Sequence, residues 1–300
     1  MRSPTRAQVK VLKAVQNQSV NLSALHAAAS EHQQQTGQRP PPAWFAEFHN
    51  HSVAREALTE AALAAAVPRA WLDHVRDRGA RGIAWRADLY LRAPEPIEWD
   101  QVLGGLDRDV ARLRAWTALD AAYPRAGDGD GVRLEAHLRA LHTRTAGVMN
   151  LLGLTAEQGQ QLWGTDHDWV QASVAMLDGV TAEGVAQRWH IAVHTDINGY
   201  ALQAAALAEA GIAIDTAAAL PPLAELRAGI GAAVAPPQPL FRSPAAAGHD
   251  VEAAVDAANL TYSPELDHET ASAPPVFSDP QGADPWTEIT ILPAADGMER

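Results

Sequence analysis

The chain has 300 residues, of which 47% are hydrophobic, which is enough for one large or two small domains with buried cores. It contains no cysteine, which excludes disulfides, thiolate metal sites and cysteine nucleophiles. No apolar run approaches the roughly 18 residues of a membrane span, so we expect a soluble cytoplasmic protein that does not contact a membrane.

Charge is distributed unevenly along the chain. The formal net charge is −13, but residues 1–92 hold twelve Arg and Lys against seven Asp and Glu, a net charge of +5. The remaining 208 residues carry a net charge of −18. Such asymmetry between two parts of a chain is typical of proteins in which one part meets an anionic partner.

The first third of the chain predicts helices separated by breaks. Apolar residues at helical spacing predict a helix over residues 5–35. The glutamine- and proline-rich run 33–42 predicts a linker, and residues 43–57 form a short amphipathic segment. Two further helices are predicted within Thr59–Gly79, with the boundary at Val67-Pro68.

The middle of the chain also predicts helices. An apolar stripe on either side of a glycine-rich loop predicts an antiparallel helical pair over 98–152. Thr155 fits a capping box with Gln158, and Thr181 begins a helix that we expect to run to about Gly211. A weaker helix is predicted over roughly 220–230. Four tryptophans are expected to fill the core of this region: Trp116, Trp163, Trp169 and Trp189.

The C-terminal residues 236–300 have a different composition. They hold eleven Asp and Glu against two arginines, and they show no sustained apolar periodicity. This composition predicts a disordered acidic tail. Because no segment predicts a convincing strand, the expected fold is all-α.

The stretch Thr59–Gly79, TEAALAAAVPRAWLDHVRDRG, has the pattern of two short helices that cross closely. Ala62 and Ala66 supply small side chains at the expected crossing. Pro68 suits the first position of the second helix, where its fixed φ is favourable and its missing N–H is not needed. The apolar residues that return to the core are Leu58, Leu63, Val67, Leu72 and Val75.

Over about residues 55–85 the sequence resembles the helix-turn-helix family, particularly in the forms carried by actinobacterial regulators and mobile-element proteins. In that family the second helix lies in the major groove of DNA. The resemblance implies that Arg69 reaches a base edge and that the later arginines contact phosphates. The implied DNA-binding residues are Arg69, Ala70, His74, Arg76, Arg78, Arg81 and Arg86.

Two features depart from the family's pattern. Ala66 stands where the family usually has glycine, and alanine is tolerated there provided that its φ is not positive. Asp73 and Asp77 would repel phosphates if they faced them, so we expect them to pair instead with Arg69, Arg76 or Arg81 at helical spacing.

The resulting hypothesis is an all-α DNA-binding protein, either a transcriptional regulator or an accessory factor of a plasmid, prophage or conjugative element. Its helical middle region would form a homodimer or bind a protein partner, and its tail would compete for the basic face. The predicted parts are an N-terminal helix and linker (1–42), a helix-turn-helix domain (43–92), a helical bundle (98–235) and an acidic tail (236–300).

Two alternatives stay open. In the first, the chain is a non-enzymatic interaction or assembly protein and the hairpin only packs. In the second, His190, His194 and Asp196 hold a metal ion of a hydrolase, although the sequence lacks the glutamate that metalloproteases place after the first histidine. Phosphate-loop, dinucleotide-binding and nucleophile-elbow motifs are absent from the sequence, so we predict a protein that is not an enzyme and has no cofactor.

Overall fold

The computed structural model of the chain describes residues 3–93, 96–123, 129–212 and 219–234. Within these ranges the chain forms ten α-helices and no strand, which confirms the predicted all-α fold. The predicted tail, 236–300, lies outside the described residues. No helix in the described ranges has both the length and the apolar character needed to cross a bilayer. The helices are α1 (Arg6–Thr36), α2 (Pro42–Ala64), α3 (Arg69–Ala80), α4 (Trp99–Ala122), α5 (Gly129–Leu152), α6 (Ala156–Trp163), α7 (Asp166–Ala175), α8 (Ala182–His194), α9 (Asn198–Glu209) and α10 (Leu223–Val234).

Helix α1 has a local signal at each end. The Thr5 hydroxyl accepts a hydrogen bond from the Gln8 amide while the Gln8 side chain accepts one from the Thr5 amide, which is a capping box. The helix stops at Gly37, where φ is +68°. The predicted linker over 33–42 is therefore wrong in its first part. Residues 33–36 form the last turn of α1, because glutamine is a good helix former when no glycine or proline intervenes.

Helix α2 is longer than the sequence analysis predicts. A separate segment over 43–57 is expected, but the helix runs without a break from Pro42 to Ala64. Its proline lies in the first turn, where the missing N–H has no intrahelical partner to lose. The helix packs against α1 and also against α9, so it links the first helix to one of the last helices of the described fold.

The turn after α2 is a Schellman motif. The Val67 N–H donates to the Ala62 carbonyl and the Ala66 N–H donates to the Leu63 carbonyl. This motif needs a left-handed residue after the helix, and Ala66 has a φ of +51°. The condition for tolerating alanine at this position, a φ that is not positive, is therefore not met. The same pair of hydrogen bonds ends α3, α5 and α9. The residue with positive φ is a glycine at each of these ends, namely Gly82, Gly153 and Gly211 respectively.

The close crossing of the N-terminal helices lies between α1 and α3. A Cβ added to Gly79 of α3 would lie 2.4 Å from the Ser19 Cβ and 2.6 Å from the Gln16 carbonyl oxygen. Helix α3 packs mainly on α1 and has little contact with α2. The sequence pattern predicts the close approach at Ala62 and Ala66 instead. This predicted position is wrong because one glycine on α3 lets two backbones approach more closely than alanines do.

The helical pair predicted over 98–152 is confirmed, with α4 and α5 packed against each other. The expectation that four tryptophans fill the core is confirmed too, since Trp116, Trp163, Trp169 and Trp189 are all buried. The Arg114 guanidinium lies over the Trp169 ring, with its Cζ 4.3 Å from the ring centroid. Large rings thus supply volume that alanine-rich helices lack.

Three helix ends differ from the sequence-based prediction. The helix that begins at the predicted Thr181 cap stops at His194, and a new helix, α9, begins after Ile197. Asp196 causes a local turn here, because its carboxylate accepts a hydrogen bond from the Asn198 amide at 2.9 Å. The last helix, α10, continues to Val234 rather than ending near residue 230.

Candidate functional site

Helix α3 divides into a buried side and an exposed side as the sequence predicts. Leu72, Val75 and Gly79 are buried, and so is Trp71. Among the implied DNA-binding residues of α3, Arg69, Ala70 and His74 are exposed, while Arg76 and Arg78 are half-buried. Arg81 and Arg86 are exposed in the segment after the helix.

The exposed face of α3 is centred on Ala70, Asp73 and Asp77. At 100° per residue these three positions lie opposite the buried side, whereas Arg69 and Arg76 lie along one flank of the face. Arg78 lies along the other flank. In the part of the chain that the structure describes, neither aspartate forms an ion pair, so the predicted pairing with arginines is wrong.

The arginines around α3 differ in their hydrogen-bond acceptors. Arg86 donates two hydrogen bonds to Asp88, at 3.1 and 3.0 Å, and both side chains are exposed. These hydrogen bonds lower the pKa of the Asp88 carboxyl. Arg81 donates to the Asp77 carbonyl of its own helix. Arg86 therefore forms an ion pair with a carboxylate, whereas Arg81 forms none among the described residues.

A further arginine that the sequence analysis does not single out stands beside the flank of α3. Arg55 of α2 lies near Arg76, and burial, followed by the charge of Arg76, lowers the pKa of Arg55. The Nε atoms of Arg55 and Arg78 are buried without a hydrogen-bond partner among the described residues. Positive charge is thus concentrated along α3 by a residue from another helix, which no local sequence signal indicates.

Beside the start of α3 lies a cleft of about 950 Å³. Its walls come from the α2–α3 turn, the segment before α4, and helices α4, α5 and α9. Among the described residues, five arginines and three carboxylates line it: Arg69, Arg92, Arg108, Arg112 and Arg144, with Asp73, Glu98 and Asp109. These described lining residues carry an excess of positive charge, although the chain as a whole is strongly acidic.

The wall of the cleft contains a buried polar network. Asp109 accepts a charge-assisted hydrogen bond from Arg144 and a second hydrogen bond, at 2.8 Å, from the Tyr200 hydroxyl. Burial, and then the Asp109 carboxylate, raises the pKa of Tyr200, which favours the protonated donor. Arg144 also donates to Gln203, which in turn donates to Glu60 of α2. Residues from α2, α4, α5 and α9 are thereby held in one arrangement.

The other cleft arginines have no carboxylate partner among the described residues. Arg112 lies 5.6 Å from the Tyr200 ring centroid and 5.8 Å from that of Trp116, so aromatic faces position its guanidinium. Arg69, Arg92 and Arg108 are exposed and form no ion pair within the described ranges. The sequence analysis singles out only Arg69, because the others are separated from it by up to 75 positions.

The three residues considered for a metal site do not form one. His190 packs edge-on against Trp189 and Tyr123, and Asp196 accepts the Asn198 hydrogen bond in the turn before α9. The described residues contain no group of three His, Asp or Glu side chains that could hold a metal ion. The metal-dependent hydrolase therefore has no supporting site in this part of the chain.

Comparison of the chain with protein-family models, with curated proteins and with solved structures finds no match. The helix-turn-helix resemblance accordingly stays a prediction.

Proposed function

We propose that the chain binds double-stranded DNA with α3 in the major groove. The observation that carries this proposal is the layout of the exposed face of α3, which has short side chains, one alanine and two aspartates, in the centre and arginines on both flanks. A helix in the major groove turns its central face to base edges and its flanks to the phosphates of the two strands. The charge of +5 over residues 1–92 supports the same orientation.

The two unpaired aspartates take a role in this proposal that the sequence analysis did not give them. A carboxylate in the major groove accepts a hydrogen bond from the cytosine amino group. Asp73 and Asp77 would therefore favour cytosine, whereas Arg76, Arg78 and Arg81 contact phosphates. Arg69 stands at the first turn, where it reaches a guanine edge. We expect the biological role to be that of a transcriptional regulator or an accessory factor of a mobile element.

The test is a titration of random-sequence duplex DNA at low salt. The variant is Arg76→Ala/Arg81→Ala, because neither residue lines the cleft. We expect micromolar binding by the wild type, lost at about 200 mM salt, and a salt slope that falls by about 2 in the variant. Each removed phosphate contact accounts for roughly one unit of that slope.

The matched control is Arg133→Ala/Arg188→Ala, which removes the same charge from exposed positions on α5 and α8. It should bind DNA like the wild type. If the wild type does not bind, or if both double variants lose affinity equally, α3 is not a DNA-binding helix and the proposal fails.

A protein-interaction role is a second candidate, and it rests on a different surface. Trp44, Phe45 and Phe48 cluster with His26 where α2 begins to pack on α1, with ring centroids 4.9–6.1 Å apart. Phe45 is 53% exposed. Exposed aromatic clusters are typical of binding hot spots. If DNA does not bind, Phe45→Ala should reduce self-association or partner binding measured by sedimentation velocity.

A further inference from the structure

The cleft beside α3 has the size and the shape of a small-molecule site. Ligand pockets usually occupy about 300–1,000 Å³ and combine apolar walls with a few polar groups. Here the apolar part of the wall comes from Val67, Ile97, Val102 and Val148. The polar part is dominated by arginine.

Within the described ranges, Arg144 pairs with a cleft carboxylate, but Arg108 and Arg112 do not. Asp109 is satisfied by Arg144 and Tyr200, within the buried network. Arg108 and Arg112 of α4 have no carboxylate partner among the described residues, and they are four positions apart, so they lie on one face of the helix. Like charges held on one wall of a concave, partly apolar site attract an anion, because field lines concentrate there.

A glycine of α4 faces open space in the wall of the cleft. Gly105 of α4 lines the cleft, and a Cβ added to it would meet no atom within 4 Å. The polar network fixes α4, α5 and α9 around this opening. The open volume is therefore built into the packing of the helices.

We propose that this cleft binds a small organic anion with carboxylate or phosphate groups, held by Arg108 and Arg112 with Arg69 at the rim. Guanidinium groups bind such anions through paired, charge-assisted hydrogen bonds. The apolar wall receives the rest of the ligand. This binding does not depend on whether the chain binds DNA, so the two proposals can fail separately.

The experiment is calorimetric titration, at low ionic strength and without DNA, of the full chain with pyrophosphate and with citrate. These two probes separate phosphate from carboxylate preference. We expect one site per chain with a dissociation constant of about 0.1–1 mM for at least one probe. Arg108→Gln/Arg112→Gln should weaken it at least about tenfold, as loss of charged hydrogen bonds requires. Arg188→Gln, an exposed arginine outside the cleft, should leave binding unchanged.

A pair of glycine substitutions tests the location of the site. Gly105→Leu places a side chain in the cleft and should abolish binding of the probe. Gly104→Leu is the matched control, since Gly104 is the preceding residue of α4, also meets no atom, and does not line the cleft. The proposal is overturned if neither probe binds the wild type, if binding survives Gly105→Leu, or if the Gly104 variant loses it equally. Circular dichroism of both variants establishes that they are folded.

Discussion

Helices α1–α3 and helices α4–α10 fill their cores with different side chains. Helix α2 and its turn contribute mainly alanine to the first core, and Trp71 is the one buried tryptophan among the described residues of that region. The second region buries four tryptophans. Both regions come from the same alanine-rich sequence, and each contains a close backbone approach, at Gly79 in the first and at Gly159 in the second. The second region differs in that it also buries several large rings.

This difference has a functional consequence. Close packing of α3 on α1 leaves the outer face of α3 free for charged residues. The cleft lies between the two regions, with walls from the α2–α3 turn on one side and from α4, α5 and α9 on the other. The same comparison predicts which substitutions each region tolerates.

The largest effect is expected from removing a ring in the second region. Trp189 is fully buried beside Tyr123 and His190, so Trp189→Ala leaves a cavity and should lower the free energy of unfolding by about 3–5 kcal/mol. Urea unfolding followed by circular dichroism measures the change. Trp189→Phe should cost less, because a ring remains and the indole N–H, which is buried without a partner among the described residues, is removed. Equal losses for both variants would show that ring volume is not what stabilises this region.

The first region should be sensitive to added volume instead. Gly79→Ala forces a methyl group into Ser19 and the Gln16 carbonyl, and should destabilise the fold by about 2–3 kcal/mol. Gly104→Ala is the control, because its Cβ is in open space on α4. That substitution should stabilise the fold by about 1 kcal/mol through helix propensity. If urea unfolding gives the same sign for both, the close crossing of α1 and α3 is not a constraint.

A smaller effect of opposite sign is expected at the turn between α2 and α3. Ala66→Gly relieves the positive φ that the Schellman motif imposes, and should stabilise the fold by about 0.5–1 kcal/mol after the entropy of the unfolded glycine is subtracted. Ala65→Gly, one position earlier with φ −92° and a buried methyl group, should destabilise it. Thermal melts of the two variants should shift in opposite directions. A fall in melting temperature for Ala66→Gly would contradict a strained turn.

The smallest effect is a pH dependence in the second region. Burial lowers the pKa of His142, and its Nε2 lies 3.0 Å from the Pro221 carbonyl before α10. His142 takes up a proton more readily in the unfolded state than in the folded state. The contribution of neutral His142 to the stability of the fold is therefore complete above about pH 6.5 and is lost as the pH falls below that value. The melting temperature should therefore fall more between pH 7.5 and 5.5 in the wild type than in His142→Gln. Parallel profiles would assign the pH dependence to other groups.

Part of the candidate site follows from the sequence. The pattern around Thr59–Gly79 correctly predicts that Leu72 and Val75 are buried and that Arg69 and His74 are exposed, because a helix repeats every 3.6 residues. The pattern does not predict the cleft. Its arginines come from the start of α3, the segment before α4, and helices α4 and α5, which only packing brings together.

The sequence by itself determined the helices and several of their ends, because capping at Thr155 and Thr181 uses hydrogen bonds between residues three positions apart. It also determined that Trp116, Trp163, Trp169 and Trp189 are buried, since an alanine-rich chain has few other side chains of that volume. Only the tertiary structure decided that Gly79 is the close crossing, that Ala66 is left-handed and that Arg108 and Arg112 face a cleft. Each of these depends on the direction in which one helix meets another, and distant residues set that direction together.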